Sequence, residues 1–566
     1  MSAIIEQIKL AQYWLQSGDI HSAKALLMEI IKLQPQQAQA MELLARIHAN
    51  EGNLDQALLL LQELSKNPDC NFSSLFHLGD LYLQLGQIQA AVYSYQASLK
   101  KAGPFFEGLH NLGLAYSQLF QFEEASRAFK EACTLNPSSY EAHLNLGAAL
   151  KNVGDYEQSL AHINQALALN PTDASAWLNK GVTLEAMNAQ EKALECYEAA
   201  LQLNPNYLEA YSNKANSLVV LGRHTDAQMA FESALSINPQ DPDTLYNLSY
   251  LQLAQGNFEQ GWPNYENRWL RQNAPPLLFS NLSRLVTLDG IADKHILAWS
   301  EQGLGDTIQF CRYIPALHKL GAKITLATHA PLIELLDGLD GIDQIIAIDE
   351  NAPNDCNAQI PLMSLPLLFH RAGQTIPPKP PYLKTDPIKR NSWHERLKDE
   401  KRLKVGLVWS GGFRPNQPEC WGVNGRRNIP LEIIAQLQEI TGVQFFSLQK
   451  GDPAEAELLE KKDHIWPSNN LSIYTSELHT FADTAALIDN LDLVISVDTS
   501  TAHVAGALGK PLWLLNRFDS CWRWQIQKEE TGWYPEAKLI NQTAPGDWDT
   551  VINKVKNELA HLMNRA

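Results

Sequence analysis

The sequence lacks the features that define several common classes of protein. Its seven cysteines are scattered and form no CxxC pair, which argues against a zinc site or a disulfide framework and favours reduced thiols in a cytosol. No apolar run reaches the roughly 18 residues that a membrane span needs. The N-terminus has neither the basic start nor the continuous apolar core of a signal peptide. We therefore expect a cytoplasmic protein without a transmembrane segment.

Positive charge is scarce as well. The 45 lysines and arginines are outnumbered by 63 aspartates and glutamates, so the net charge is −18. A general nucleic-acid binder carries a basic balance, and we expect no nucleic-acid partner. With 566 residues, 45% of them hydrophobic, the chain is too long for one core and too apolar for large-scale disorder. Its length predicts roughly three to four domains.

Signatures of the best-known nucleotide-binding and hydrolytic sites are also missing. The chain contains no P-loop, and its glycine-rich stretch GLGDTI, which begins at Gly303, lacks the third glycine of the dinucleotide-binding fingerprint. No serine nucleophile elbow occurs. No spacing of histidine, cysteine and carboxylate residues suggests a metal site. We expect neither a bound cofactor nor a metal ion.

The first half of the chain is a repeat array with a period of 34 residues, the value typical of tetratricopeptide repeats. Between recurring prolines, small residues occupy three fixed positions of the repeat and a large residue occupies a fourth. The small residues let the two helices of a hairpin approach, and we expect the large column to fill the gap to the next hairpin. Proline ends the second helix because it cannot continue it. The prolines in phase are Pro35, Pro68, Pro104, Pro137, Pro171, Pro205 and Pro239.

The array is expected to end in an eighth first helix, Thr244–Ala254, followed by the aromatic segment Phe258–Arg271. Trp262, Tyr265 and Trp269 in that segment are expected to cap and close the array. A solenoid of this kind has a concave groove that suits a protein or peptide partner. The alternative is a spacer or a dimerisation arm, so a homo-oligomer stays open.

The second half alternates strand and helix patterns, which predicts two parallel α/β lobes with a cleft between them. A linker, residues 273–284, precedes the first run, and the proline-rich segment Ile376–Pro387 separates the two runs. The first run comprises Ile296–Trp299, Thr307–Leu320, Lys323–Ala327, Pro331–Leu336, Ile345–Ile348, Gln359–Met363 and Pro366–His370. The second comprises Leu403–Trp409, Leu431–Ile440, Val443–Leu448, Thr484–Asn490, Leu493–Val497, Ala502–Leu508 and Leu512–Leu515, and a last helix, Trp548–Met563, is expected to pack back across the lobes.

The stretch Leu493–Pro511 carries the clearest local signal. A buried strand is followed by four small polar residues and then by a helix, and ligands of parallel sheets lie beyond the carboxyl ends of the strands. A helix N-terminus offers free N–H groups and partial positive charge to a phosphate. The alternative is that one of the four residues simply caps the helix. The four residues are Asp498, Thr499, Ser500 and Thr501.

Two further strand ends of the same lobe carry polar or basic residues. Ser410 and Gly411 follow the first strand, with Arg426 and Arg427 downstream; Gln449 and Lys450 follow the next strand. A solvated surface explains any one of these residues. It explains the coincidence of three strand ends less well, and we expect them to converge on one ligand.

Three residues of the first lobe and one of the second complete the candidate site. Gly303 and Gly305 follow a strand and allow close approach of a ligand to the backbone. Asp306 is either a helix N-cap or a general base at the edge of the cleft. His503 is either a packing residue or a ligand of the phosphate. The tryptophan-rich segment 519–534 either flanks a sugar or base or forms an aromatic core between the lobes.

The segments GLGDTIQFCRYIPAL, GLVWSGG and FADTAALIDNLDLVISVDTSTAHVAGALGKP resemble the heptosyltransferase family of glycosyltransferases, whose two-lobed fold is known as GT-B. The tandem with a repeat array is similar in layout to the protein O-GlcNAc transferases. The resemblance implies that Asp306 is the catalytic base and that Ser410 and Gly411 contact phosphate. It departs at an insert, Phe413–Gly425, which displaces an expected basic residue and leaves Arg426 or Arg427 as substitutes. It further implies donor-diphosphate binding by Asp498, Thr499, Ser500, Thr501 and His503.

We therefore expect an all-α tetratricopeptide solenoid followed by an α/β GT-B fold of two Rossmann-like lobes. The array with its cap covers residues 1–272, the acceptor-side lobe 273–385, the donor-side lobe 386–547 and a C-terminal helix 548–566. The expected function is metal-independent, inverting transfer from a nucleotide-diphosphate sugar to a hydroxyl of a protein or peptide held by the repeats. Two alternatives are an interaction scaffold with a non-catalytic GT-B domain and a nucleotide-binding regulator.

Overall fold

The computed structural model describes residues 2–373, 379–415 and 417–564. The chain folds as two compact units, Met1–Pro205 and Asn206–Ala566. None of the helices in the described ranges is long and apolar enough to cross a membrane. Within the same ranges, no group of three or more histidine, cysteine, aspartate and glutamate side chains is placed to hold a metal ion.

Helical hairpins make up the repeat array, two helices to each period of 34 residues, as the sequence predicts. The first unit contains α1 Ser2–Gln16, α2 Ile20–Leu33, α3 Ala38–Asn50, α4 Leu54–Ser65, α5 Phe72–Gln84, α6 Ile88–Ala102, α7 Phe106–Gln118, α8 Phe122–Leu135, α9 Tyr140–Val153, α10 Tyr156–Leu169, α11 Ala174–Ala186 and α12 Gln190–Leu203. The second unit begins with α13 Leu208–Val220, α14 His224–Ile237, α15 Pro242–Ala254, α16 Phe258–Tyr265 and a 3-10 helix, Glu266–Trp269.

The small and large columns of the repeat meet inside each hairpin. A Cβ atom at Gly79 would lie 2.6 Å from the ring of Tyr95, and one at Gly113 would lie 2.6 Å from the ring of Phe129. Each ring belongs to the second helix of the same hairpin. Phe129 also shares a core with Leu146 of the next hairpin. The large residues therefore fill the gap to the next hairpin as expected, and they also cover the glycine of their own.

The turn inside each hairpin places one residue at positive φ, and two repeats lack glycine there, at Phe120 and Asn188. Gly86 has a φ of +72° and Gly154 a φ of +90°, whereas Phe120 occupies the same repeat position at +58°. Its side chain is 64% exposed. Bulky residues rarely adopt this conformation because the Cβ atom approaches the backbone. The hairpin of α7 and α8 is therefore strained at its turn.

The second unit continues with two parallel sheets. The first has the order β3-β2-β1-β4, and Leu297 in β1 lies opposite Thr325 in β2 and Gln359 in β4. All five residues of β1 are buried, as is usual for a central parallel strand. This region comprises β1 His295–Trp299, α17 Leu304–Phe310, α18 Ile314–Lys319, β2 Lys323–Thr328, α19 Ile333–Leu336, β3 Gln344–Ala347, β4 Ala358–Pro361 and α20 Leu365–Arg371.

The second sheet has the order β10-β9-β8-β5-β6-β7, again with parallel neighbours. Val405 in β5 lies opposite Phe445 in β6 and Leu493 in β8. This region comprises α21 Pro387–Leu397, β5 Leu403–Val408, α22 Trp421–Arg427, α23 Leu431–Ile434, β6 Val443–Ser447, α24 Ala454–Ile465, β7 Leu471–Ile473, α25 Phe481–Asp489, β8 Leu493–Val497, α26 Ser500–Ala507, β9 Leu512–Asn516, β10 Ala537–Asn541 and α27 Trp548–Met563.

Several expected elements need correction. The helix expected over Thr307–Leu320 begins at Leu304 and is interrupted by the 3-10 helix Cys311–Tyr313. The helix expected over Leu431–Ile440 changes to a 3-10 helix after α23. The sequence predicts none of α21, α22, α24, β7 and β10. The proline-rich segment expected to connect the two runs lies partly in residues 374–378, outside the described residues.

Two further expectations concern packing. Trp262 does not merely close the array, because its ring meets Trp522 edge-on at 5.4 Å and Phe310 at 6.5 Å, both in the α/β region. The last helix, α27, packs on the second sheet. Its buried residues Val551 and Val555 belong to the core of the second sheet.

Candidate functional site

Loops from both sheets meet at one cavity of about 720 Å³. Strands β8, β5 and β6 are neighbours in the second sheet, so their carboxyl ends share one edge. The loop after β1 of the first sheet lines the same space. Arg426, which the sequence analysis named beside Arg427, does not line the cavity and pairs with Asp519 at 3.0 Å. The other predicted site residues do line it: Gly303, Gly305, Asp306, Ser410, Gly411, Arg427, Gln449, Lys450, Asp498, Thr499, Ser500, Thr501 and His503.

The turn between β8 and α26 combines a helix cap with free hydroxyl groups. Thr499 is the N-cap, since its hydroxyl accepts a hydrogen bond from the N–H of Ala502 at 3.5 Å. The capping alternative is therefore correct for this one residue. Ser500 and Thr501 begin the helix and line the cavity. The first N–H groups of α26 and its partial positive charge suit an anionic ligand there.

Arg427 occupies space that exists only because residue 411 is glycine. A Cβ atom at Gly411 would lie 1.9 Å from the guanidinium group. Arg427 Nη1 donates to the carbonyl of Asp498 at 3.1 Å, and Nη2 donates to Oδ1 of Asn424 at 2.6 Å. Its Nε and the Nδ2 of Asn424 are buried and have no partner among the described residues. Burial lowers the pKa of Arg427. Both side chains line the cavity, and each keeps one buried nitrogen without a hydrogen-bond partner in the part of the chain that the structure describes.

The side chains of Gln449 and Lys450 are hydrogen-bonded to other groups of the protein. Gln449 Oε1 accepts from the N–H groups of Trp409 at 3.1 Å and Ser410 at 2.9 Å, and its amide nitrogen donates to the Ser410 carbonyl. The side chain of Gln449 therefore holds the loop after β5 in place. Lys450 Nζ donates to the carbonyl of Thr475 at 2.6 Å.

His503 is packed as a neutral group. Its Nδ1 lies 2.9 Å from the hydroxyl of Tyr534, and its ring stacks on Trp524 at 5.4 Å. Burial lowers the pKa of His503 to about 3. The contact of its Nε2 with Oδ1 of Asp498, 3.8 Å, is therefore not an ion pair at neutral pH. A Cβ atom at Gly305 would lie 2.9 Å from the imidazole, so glycine there lets α17 approach α26.

Asp498 stays ionised in spite of its surroundings. Burial raises the pKa of its carboxyl group, but neighbouring charges outweigh burial and the net shift is downward. Because His503 is neutral, we attribute this lowered pKa to the cations Arg523 and Arg427. The cavity is therefore lined by more basic than acidic side chains: Arg414, Arg427, Lys450 and Arg523 against Asp306 and Asp498.

Asp306 is not the N-cap that the sequence left as its alternative role. Gly303 is the cap, and Asp306 stands three residues later, where its Oδ2 accepts from the N–H of Gly303 at 3.0 Å. Its Oδ1 accepts a hydrogen bond from Nη2 of Arg523. Arg523 is buried, and its Nε donates to Oε1 of Gln309 at 2.8 Å. The carboxylate is thus held at two points, and a fifth of its side-chain surface remains exposed.

Arg523 and Asn424 are cavity residues that the sequence analysis did not identify. Arg523 lies within the tryptophan-rich segment 519–534, whose aromatic residues are otherwise a buried core. Its pairing with Asp306 joins positions far apart in the chain, and no local pattern indicates it. Asn424 belongs to the insert, which also supplies Arg414 to the cavity wall. The insert therefore takes part in the site and does not only displace a residue from it.

Comparisons with known proteins match tetratricopeptide repeats in the first part of the chain and a glycosyltransferase family in the second. Residues 435–515 match the family model described as glycosyltransferase family 9 (heptosyltransferase), a range that includes β8 and the turn after it. The chain therefore joins tetratricopeptide repeats to a segment that matches the model of glycosyltransferase family 9. The tetratricopeptide models match residues 2–109, 106–139, 140–173, 174–207 and 218–261.

Comparisons with curated proteins and with solved structures found relatives of parts of this chain. Protein FlbA of Caulobacter vibrioides is 24% identical over 342 residues, which make up 54% of this chain and 53% of FlbA. The chain thus spans about half the length of this curated relative. Among solved structures, YrrB, a tetratricopeptide protein with an unusual peptide-binding site, is 22% identical and covers 32% of this chain and 95% of its own, with a TM-score of 0.31. MamA is 26% identical and covers 29% and 95%, with a TM-score of 0.27.

Proposed function

We propose that the protein is a metal-independent, inverting glycosyltransferase that moves a sugar from a nucleoside-diphosphate sugar to a hydroxyl acceptor. The two sheets are the lobes of a GT-B fold in this proposal, 273–385 on the acceptor side and 386–547 on the donor side. The array is 1–272 and the final helix 548–566. The observation that carries the proposal is the convergence of both sheets' loops on one cavity, together with the family 9 match over 435–515.

The donor diphosphate is proposed to bind at the start of α26. The helix N–H groups and the hydroxyls of Ser500 and Thr501 supply donors, and Arg427 and Asn424 supply the unused N–H groups described above. Fixed donors in such a site each stabilise the departing diphosphate by about 2–4 kcal/mol. Arg427 supplies a cation beside this turn. Lys450 has to leave the Thr475 carbonyl before it reaches the ligand.

The acceptor hydroxyl attacks the anomeric carbon from the face opposite the diphosphate. The new carbon–oxygen bond forms as the bond to the diphosphate oxygen breaks, and Asp306 accepts the hydroxyl proton. A single displacement inverts the anomeric configuration. Arg523 and the Gly303 N–H fix the carboxylate so that a remaining lone pair is available to the acceptor.

The repeats are proposed to present a protein or peptide acceptor. Asparagine recurs at one position of successive first helices, Asn111 in α7, Asn145 in α9 and Asn179 in α11, and each is half-buried. Neighbouring first helices contact one another, α7 with α9 and α9 with α11. A row of side-chain amides at a regular spacing suits an extended peptide, whose backbone presents donors and acceptors at regular intervals.

A panel of uridine, guanosine, adenosine and thymidine diphosphate sugars tests this function. The cognate donor should stabilise the purified protein by about 2.7 kcal/mol at a hundred times its Kd. Nucleoside diphosphate should be released during incubation, and chelation by EDTA should leave the rate unchanged. Stabilisation without any turnover would favour the non-catalytic alternatives, and the absence of both would contradict the proposal.

A further inference from the structure

The last hairpin of the array, α15 and α16 with the 3-10 helix that follows, holds the loop that leads to Asp306 in α17. Arg268, in the 3-10 helix after α16, is 4% exposed and binds Glu301 through two parallel hydrogen bonds. Its Nε donates to Oε2 at 3.0 Å and its Nη2 donates to Oε1 at 2.9 Å. The side chain of Glu301 is 3% exposed. Glu301 lies in the loop 300–303, which follows β1 and leads into α17, where Asp306 is the third residue.

The surroundings of Arg268 fix its orientation. Its guanidinium group stacks between the rings of Tyr265 at 4.6 Å and Trp269 at 4.8 Å. It also donates to Glu266 at 2.6 Å and to the hydroxyl of Ser364 at 2.8 Å. Burial alone would lower the pKa of Arg268, but the two glutamates raise it above its usual value. The arginine is therefore a permanently charged anchor.

The next residue of the loop is held from the same side. Gln302 Nε2 donates to the hydroxyl of Tyr265 at 2.9 Å. Its carbonyl lies 2.9 Å from Nε2 of His329. Two consecutive residues of the loop, five and four residues before Asp306, thus depend on side chains from the end of the array.

The partner of Asp306 is also held by the array. Arg523 lies in the 3-10 helix Trp522–Trp524, and just after it the N–H of Ile526 donates to the carbonyl of Ala254, the last residue of α15, at 3.0 Å. The neighbouring Trp522 packs edge-on against Trp262 of α16 at 5.4 Å. Both members of the Asp306–Arg523 pair therefore stand on the same helical hairpin.

We propose that Arg268 is a positioning residue for Asp306, and that the last hairpin of the array is a required part of the catalytic site. A buried ion pair gains little stability over well-packed apolar residues, but it fixes geometry, and removing one partner leaves an uncompensated charge. Rotation of the loop moves Asp306 relative to the acceptor, and misplacement of about 1 Å costs on the order of a hundredfold in rate. The catalytic part of this inference rests on the proposed function. The part that says Arg268 holds the conformation of the loop does not rest on it.

The test compares Arg268→Lys with Arg271→Lys, a matched control three residues away. Arg271 also pairs with a carboxylate and stacks on an aromatic ring, at Asp243 and Tyr246, but it contacts no residue of the loop in these pairings. Lysine keeps the charge of Arg268 and loses the paired hydrogen bonds. Hydrogen exchange of the amides in 300–307 should accelerate about tenfold in Arg268→Lys and stay at the wild-type rate in Arg271→Lys.

Turnover separates positioning from simple stabilisation. Arg268→Lys should lower kcat about 10- to 100-fold with an unchanged KM for the nucleotide-sugar, while Arg271→Lys keeps both. Unchanged exchange in the loop would overturn the inference, and so would faster exchange with unchanged kcat. If Arg268→Lys does not fold, Glu301→Gln breaks the same pair from the other side and decides by the same two readouts. A wild-type protein that turns over no nucleotide-sugar refutes the function and the catalytic part, and exchange then decides whether Arg268 holds the loop.

Discussion

His503 has the sequence position of a phosphate ligand and the surroundings of a neutral core residue. Tyr534 and Trp524 enclose its ring, and burial lowers its pKa to about 3. It is therefore an uncharged hydrogen-bonding group, and under the proposed function the positive charge for a diphosphate comes from arginine. The capping alternative holds for Thr499 and the packing alternative for His503, but both residues line the cavity, so the ligand interpretation stays a prediction.

The lowered pKa of His503 makes the stability of the fold depend on pH. Above the usual pKa of 6.5 the imidazole is neutral in the folded and unfolded chains and has no effect. Below 6.5 only the unfolded chain binds the proton, so stability falls by about 1.4 kcal/mol per pH unit until pH approaches 3. Denaturant unfolding at pH 7 and pH 4.5 should show a pH-dependent loss about 2.5 kcal/mol smaller in His503→Gln than in the wild type. An equal loss in both proteins would show that His503 is not the titrating group.

Gly411 offers a second test at the scale of one residue. In Gly411→Ala the new Cβ atom forces Arg427 out of its place and breaks its hydrogen bonds to Asp498 and Asn424. Loss of a charged hydrogen bond costs about 1.5–3 kcal/mol, so nucleoside-diphosphate affinity measured by calorimetry should fall about 10- to 100-fold. Gly412→Ala is the control, because a Cβ atom there meets no atom within 4 Å. Equal affinity in the two variants would remove Arg427 from the donor site.

The sequence predicted that a set of polar residues would line one cavity, but it did not predict which side chains would pair with each other. In a parallel sheet, strand ends converge by topology, so polar residues after three apolar strands predict a common cavity whatever the details of packing. The ion pair of Asp306 with Arg523 depends on how distant loops meet. The orphan donor of Asn424 likewise depends on how the insert folds back. Neither leaves a periodic trace in the sequence.

Among secondary-structure elements, strong apolar patterns predicted best. Strand β8 and helix α27 begin and end at the residues expected, because a continuous apolar run or a long amphipathic stripe marks both. The helix after β1 was placed three residues late, because the glycine loop itself provides the cap and Asp306 completes it at the third helical position. Strand β7 has only three residues, too few to show a period.

Phe120 lets the strain of one turn be measured. Phe120→Gly removes the cost of a bulky residue at positive φ, about 1–2 kcal/mol, and gives back part of it through chain entropy and the lost contact with Phe122. The thermal unfolding midpoint should rise by about 2 °C. The reverse change at the equivalent position, Gly86→Phe, should lower the midpoint. A side chain at residue 86 meets no neighbouring atom, so the cost comes from the positive φ alone. A fall in the midpoint for Phe120→Gly would mean that the exposed ring stabilises the turn.

At the scale of the whole molecule, the second unit joins the end of the array to both sheets. Trp262 and Tyr265 belong to the same core as Phe310 and Trp522. The sequence predicts repeats and α/β lobes separately because each has its own period, but a shared core between them has none. Under the proposed function this continuity links the acceptor-presenting array to the catalytic pair.

The most direct test of the central claim is the turnover of Asp306→Asn with its cognate nucleotide-sugar. The account predicts that kcat falls about 10²- to 10⁴-fold, since the general base is lost, while calorimetry finds nucleoside-diphosphate affinity within about threefold of the wild type. Asp340→Asn, at an exposed carboxylate paired with Lys384, should behave as the wild type in both measurements. Undiminished turnover by Asp306→Asn, measured beside that control, would contradict the account.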